Sequence, residues 1–184
     1  MCKQLKQVGS ACNIWTVSHN NQNHSVVVIS TIQFSGRQNI KWEDVELYLK
    51  RFVGKEYSIA ETSDTIYIGS DFPNELKGSD DTKRLVGANA KAKANATQVI
   101  PALIATASNK RWQKNYKSKH KIDAKHGWYR FTSRFALPVY LKNGEIDRYN
   151  IFRIELLIRH ASDNNLYLYD MVNVKKETST PLGQ

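Results

Sequence analysis

Apolar and polar positions change period twice along this 184-residue chain. Residues 13–18 (NIWTVS) and 25–34 (SVVVISTIQF) are β-branched and apolar, and the polar hexapeptide HNNQNH separates them. That pattern predicts two strands joined by a hairpin loop, with His19 and His24 as solvated loop residues. From Lys41 the period becomes helical: Trp42, Val45, Leu49 and Phe52 share one face, and Gly54 suits the stop. Residues 65–69 (TIYIG) predict a short strand, and DFPNELKGSDD reads as turn material. A long helix is expected from near Thr82, capped by Asp80 or Asp81. Leu85, Ala88, Ala92, Ala96, Val99 and Leu103 form its buried stripe, and Pro101 breaks or kinks it.

In the last third the period falls to two. Residues 128–141, 145–160 and 166–175 predict three strands, with Asn143-Gly144 as a two-residue hairpin turn and ASDNN as a looser second turn. If Lys142 faces Glu145, then Phe135 faces Phe152, Phe131 faces Leu156, Tyr129 faces Ile158 and Leu141 faces Ile146. Those pairs make one apolar face, and a one-residue slip would scramble it. On the opposite face Arg134 meets Arg153, Thr132 meets Glu155 and Trp128 meets Arg159, with Arg130 alongside. Tyr167, Tyr169, Met171 and Asn173 of the third strand are expected to join that face. The same register sets Gly127 opposite His160, which brings His126 and His160 to one end of the sheet.

The expected fold is therefore α+β, with helices on one face of a C-terminal antiparallel meander and an N-terminal β-hairpin. Within one domain spanning 1–184, residues 1–40 form the hairpin extension, 41–126 the mainly helical part, 127–176 the meander and 177–184 a flexible tail.

Charge narrows the function. Twenty-seven Lys and Arg against 17 Asp and Glu give a formal net charge of +10. That suits a polyanionic partner and argues against an acidic mimic of DNA. Cys2 and Cys12 read as reduced thiols rather than a disulfide framework. The first residues lack the apolar region of a secretory signal, and no run approaches the roughly 18 apolar residues of a membrane span. A cytoplasmic protein without a membrane partner is expected; the oligomeric state stays open.

Residues 110–131, KRWQKNYKSKHKIDAKHGWYRF, are dense in Lys and Arg and hold two of the five histidines. Cleavage of RNA without a metal needs a base for the 2′-OH, an acid for the 5′-oxygen and cations for the phosphate oxygens. Histidine, with an ordinary pKa of about 6.5, suits both proton transfers. The candidate catalytic set is His120, His126, His160, Arg134 and Glu155. Arg130, Arg153, Arg159, Tyr167, Tyr169, Lys110, Arg111, Lys114 and Lys117 are candidates for holding RNA and its phosphates. The same side chains also suit an ordinary wet face crossed by a structural Arg–Glu network. No HExxH, paired CxxC, GxxxxGK[ST] or GxSxG occurs, and the meander holds too few acids for a metal nuclease, so neither metal nor cofactor is expected.

Segments between about 44 and 181 (YIGSDFPNE, GANAKAKANA, KHKIDAKHGWYRFTSRFALPVY, RYNIFRIELLIRHA and LYLYDMVNVKKETSTPL) resemble a C-terminal domain of large polyvalent and MuF-type proteins. Such proteins are carried by prophages and mobile elements of Firmicutes. The group is similar to toxin nucleases of the barnase–EndoU–colicin–RelE type. The resemblance implies helices on a small antiparallel sheet and metal-independent cleavage of RNA, with tRNA as a candidate, by a toxin with an immunity protein. His120, Arg130, Arg134, His160, Tyr169 and Asp170 match its pattern, with no base or acid role fixed for any of them. The first 40 residues lie outside the resemblance. The alternative expectation is a non-catalytic phage or mobile-element protein that binds a host defence or nuclease complex or its RNA. A DNA-binding accessory protein ranks behind both, for want of a helix-turn-helix pattern.

Overall fold

A computed structural model describes residues 14–35, 39–116 and 123–181. The fold is α+β: among the described residues five α-helices pack with an eight-stranded curled sheet of mixed direction. The hairpin of β1 (Trp15–His19) and β2 (Ser25–Ile29) forms as its β-branched, apolar runs predict, with the second strand ending at Ile29 instead of Phe34. The meander consists of β6 (Trp128–Tyr140), β7 (Ile146–His160) and β8 (Leu166–Pro181). With β3 (Glu56–Ser58) and β4 (Thr65–Tyr67) included, it lies at the centre of the strand order β1-β2-β6-β7-β8-β4-β3. The sheet closes around it with two parallel joins that no local pattern signals: β2 onto β6 at Val27↔Phe135, and β4 (Thr65–Tyr67) onto β8 at Ile66↔Leu166.

The expected β6–β7 register holds from Trp128↔Arg159 to Val139↔Arg148. It fails at the turn, where Tyr140, not Leu141, pairs with Ile146. The cause is a wider turn: Gly144 N–H donates to Leu141 O at 3.0 Å and Leu141 N–H donates to Glu145 O at 2.8 Å. Alternation then buries Phe152, Ile154, Leu156 and Ile158 of β7 against the helices. Phe135 stacks on its partner Phe152 with ring centroids 5.5 Å apart.

Four expectations need correction. DFPNELKGSDD is not turn material: Phe72–Gly78 forms α2, seated by the fully buried Phe72 and Leu76. The long helix is three short ones, α3 (Asp80–Arg84), α4 (Gly87–Ala96) and α5 (Ile100–Ala105), because Gly87 takes a positive φ of 57° and a 3-10 turn at Thr97–Val99 precedes Pro101. Ala88 is exposed and Leu85 half-buried, so the stripe begins only at Ala92. Ser79, not Asp80 or Asp81, caps α3, its Oγ accepting from Thr82 N–H at 3.0 Å. Finally, the expected tail is strand through Pro181, pairing with β7 as far as Arg148. Strands β3 (Glu56–Ser58) and β5 (Ser108–Gln113) were not legible, whereas α1 (Trp42–Leu49) and the positive φ of 80° at Gly54 match expectation.

The second half of helix α4, from Ala92 to Ala96, is buried at every position. Small alanines admit close packing, and its two buried polar residues, Lys93 and Asn95, are both bonded. Asn95 grips the strand-like segment after β2: its Oδ1 accepts from the N–H groups of Gln33 and Phe34 at 2.9 and 3.1 Å, and its Nδ2 donates to Phe34 O at 2.9 Å. Lys93, fully buried, places Nζ 3.0 Å from Asp170 Oδ1 of β8 and 2.9 Å from Asp81 Oδ2 of α3. Asp170 Oδ1 also accepts from Met171 N–H, and Asp81 Oδ1 from Asn173 N–H. Burial raises the Asp170 carboxyl above its ordinary value, and Lys93 only partly offsets this.

Removing one partner of such a pair strands the other in the interior. Asp170→Ala is expected to cost about 3–5 kcal/mol, while the double change Lys93→Met with Asp170→Leu costs markedly less. Urea denaturation of the single and double variants checks this; equal losses would contradict the account.

Candidate active site and its charged face

Glycine is required where the basic run enters the sheet. Gly127 has φ +93°, and a Cβ there would lie 2.8 Å from both Gln113 O and Trp112 Nε1. Its carbonyl accepts from His160 N–H at 3.0 Å, while His126 N–H donates to His160 O at 3.1 Å. Trp112 of β5 donates its indole N–H to His126 O at 3.1 Å. These bonds close the end of the sheet and bring the His126 and His160 rings to 4.9 Å between centroids. His160 also rests against Tyr129 at 5.7 Å, and its Nε2 lies 2.8 Å from Asn164 Oδ1 in the β7–β8 turn. Lys110 Nζ sits 4.4 Å above the Tyr129 ring and pairs with Asp64 at 2.8 Å. His126 is exposed and His160 half-buried, so both imidazoles are within reach of a ligand.

The arginine face is organised separately, around Glu155. Arg111 of β5 faces Arg130 of β6, two like charges on adjacent strands. Glu155 neutralises both: Oε1 receives Arg111 Nη2 at 2.6 Å, and Oε2 receives Arg130 Nη1 at 3.1 Å and Asn173 Nδ2 at 2.8 Å. Burial pushes the Glu155 carboxyl up, but the bonds from Arg111 and Asn173 and the two guanidinium charges outweigh it and hold the group below its ordinary value. In this arrangement Glu155 serves first as the counter-charge of Arg111 and Arg130.

Further along, Arg134 does face Arg153, yet Glu155 is not its counter-ion. Glu177 of β8 takes that place, receiving Arg134 Nε at 2.9 Å and Nη2 at 3.4 Å. Arg153 pairs in register with Lys175 as well. At the other end Arg159 binds Asp71 at 3.0 Å and lies over the Tyr167 ring at 5.4 Å. Among the described residues its buried Nε has no hydrogen-bond partner. Tyr167 donates its phenol to Asp163 at 2.7 Å, and Tyr169 to Glu75 of α2 at 2.6 Å. Burial and then Glu75 raise the Tyr169 hydroxyl far above its ordinary value, so it stays a donor in the α2–β8 joint. Trp128 packs edge-on against Tyr169 at 5.0 Å.

Irregular pairing in β8 undoes one expectation. Tyr169 is an extra residue between Leu168↔Ile158 and Asp170↔Leu157, so the alternation shifts and Met171 turns into the core, fully buried opposite Leu156. A second irregularity, at Asn173 with φ 55°, still lets that side chain reach Glu155. The structure thus divides the expected catalytic set. Glu155 and His160 are five residues apart on β7, about 16 Å, and of opposite parity, so the histidine pair and the Glu155 network address different faces. Lys114 is exposed just beyond β5. His120 and Lys117 lie outside the described residues, as do Cys2 and Cys12.

No known family, curated protein or solved structure matches the chain. The likeness to mobile-element proteins therefore rests on the quoted residues alone. Among the described residues no group of three His, Cys, Asp or Glu is placed to hold a metal ion. Among them, too, no helix is long and apolar enough to cross a membrane. Asn164, Asp64 and Gln113 position the candidate residues and were missed in the sequence, where isolated polar residues carry no periodic signal, whereas Asn173 was expected on this face and bonds Glu155 there.

Because its carboxyl is depressed in the folded state, Glu155 contributes stability above the ordinary glutamate value of about 4.3, and that contribution fades as the pH falls through the folded value. Glu155→Gln is expected to lose about 1–3 kcal/mol at pH 7, less than a fully buried pair because Arg111 is half exposed, and to flatten the acid limb of the stability curve. Thermal unfolding between pH 3 and 7 measures both effects; an unchanged acid limb would contradict the assignment.

Proposed function

We propose that this chain is a metal-independent endoribonuclease of toxin type, from a phage or mobile element, with the His126–His160 pair as its proton-transfer centre. The observation that carries the reading is the 4.9 Å approach of the two rings at an accessible sheet end. In this scheme a neutral imidazole takes the proton of the ribose 2′-OH while the oxygen attacks the adjacent phosphorus. The other, as imidazolium, gives a proton to the departing 5′-oxygen. The P–O5′ bond breaks as the P–O2′ bond forms, and the products are a 2′,3′-cyclic phosphate and a 5′-hydroxyl. Lys110, held over the Tyr129 ring that touches His160, contributes positive charge at this end. The net charge of +10 attracts the polyanion, and exposed Trp112 offers a surface for a base. Transfer RNA is the first substrate to test, and an immunity protein that covers the histidines is the partner this activity calls for.

A second reading has its own support. Arg111, Arg130, Arg134 and Arg159 each have an internal acid, so the arginine face serves the fold as well as a partner. On that reading the chain binds a host defence or nuclease complex, or its RNA, without cutting.

Incubation with total bacterial tRNA in EDTA separates the two. Cleavage predicts discrete fragments ending in 2′,3′-cyclic phosphate, slowed by about 100-fold or more in His126→Ala and in His160→Ala. Intact RNA from well-folded wild-type protein would overturn the nuclease in favour of binding.

A further inference from the structure

Acids answer most of the arginines on the sheet face that carries Glu155. Glu155 itself takes Arg111 and Arg130, and Asp71 takes Arg159. One row is different. Arg134 of β6 faces Arg153 of β7, and Arg153 faces Lys175 of β8, so three cations stand side by side on three adjacent strands. Directly opposed residues have Cα atoms about 4.5–5.5 Å apart, which sets the row within roughly 11 Å. Glu177 neutralises Arg134. Among the described residues the side chains of Arg153 and Lys175 have no hydrogen-bond or ion-pair partner.

This arrangement is unfavourable in the free protein, because like charges directly opposite one another across a sheet repel. The register gives them no way to part. Phe152 and Ile154, on either side of Arg153, are buried in the core, and a slip would turn them out. A face that pairs its other arginines thus leaves two charges here without a counter-ion. Both are reachable: Lys175 is exposed and Arg153 half-buried. Thr178, opposite Ile151 one step along the same face, is exposed and adds a hydroxyl. A guanidinium, an ammonium and a hydroxyl grouped in this way suit the oxygens of phosphodiesters.

We infer that Arg153 and Lys175 anchor the phosphate backbone of RNA at a site separate from the histidine pair. The inference rests on RNA as the partner and not on its cleavage. Arg153 and His160 lie seven residues apart on β7, about 23 Å, and have opposite parity. The anchor therefore touches a part of the RNA remote from any bond the histidines could reach, and it adds affinity without entering the chemistry. An RNA strand carries one charge per nucleotide, which matches cations set on successive strands of a sheet. The net charge of +10 draws the same polyanion from a distance. Lys175 carries no signal in the sequence: it lies beyond the irregularity at Asn173, and the register alone brings it opposite Arg153.

The test is fluorescence anisotropy of a labelled RNA hairpin with 2′-O-methyl riboses, which 2′-OH attack cannot cut, titrated with the intact protein over a series of salt concentrations. Arg153→Gln and Lys175→Gln should each weaken binding about five- to tenfold near 0.1 M salt and lower the log–log salt slope by about one. Lys41→Gln removes the same charge from an exposed position at the start of α1 and should change affinity by less than about twofold. Lys175 is exposed, so its variant keeps the test decisive even where Arg153→Gln disturbs the fold. Equal losses in Lys41→Gln and the row variants, or unchanged binding in both row variants, would overturn the anchor. So would tighter binding of polyglutamate of equal charge, which would make the row a docking surface for an acidic protein. Unmodified tRNA reports on the histidines independently. Row-dependent hairpin binding with tRNA left intact would remove the nuclease and leave the anchor standing; tRNA cut with unchanged KM by both row variants would do the reverse.

Discussion

A buried ammonium holds this architecture together. Lys93 has no exposure to water, and its charge is tolerable only because Asp170 and Asp81 lie within hydrogen-bond distance of it. Those carboxylates come from the last strand and from the helix before α4. One cation therefore ties α3, α4 and β8 into a single arrangement, and Asn95 on the same helix ties in the segment that follows β2. The helices are short, and α3 and α5 have only five and six residues. Helices of that length are marginal alone, so tertiary contacts of this kind give them their stability.

With the scaffold fixed in this way, the sheet presents two chemistries on opposite faces. The Glu155 network resolves the repulsion between Arg111 and Arg130, and the bonds it receives hold its carboxyl below the ordinary value. The histidines at the sheet end lack that constraint. Their positions come from main-chain hydrogen bonds at Gly127 and from the Trp112 indole, which leaves both rings accessible. An arginine-rich surface in a basic protein thus divides into a structural part and an available part, and the division follows where the acids fall.

The legibility of the chain followed the range of the interactions. Residues 128–160 read well because a local turn sets the register and strict alternation punishes a slip: Phe135 meets Phe152 and Thr132 meets Glu155 as the pattern requires. Tyr169 and Asn173 defeated the same logic in β8, since an inserted residue reverses parity without any apolar signature, and Met171 went inward. The basic run hid strand β5, because charged residues on an edge strand give no hydrophobic period. His24, read as a solvated loop residue, lines a cleft only because β2 joins β6 in parallel, a pairing between distant segments. Gly87 broke the long helix where periodicity alone saw continuity.

The burial of Lys93 also bears on the order of assembly during synthesis. Helix α4 leaves the ribosome well before β8, rich in alanine and ready to collapse onto any apolar surface. Its lysine disfavours that, because burying the ammonium before Asp170 is available would leave it with Asp81 as its single counter-charge. Docking of the helix and addition of the final sheet strand consequently become one cooperative event. The charge that looks costly in the finished protein acts, in the growing chain, as a guard against premature collapse.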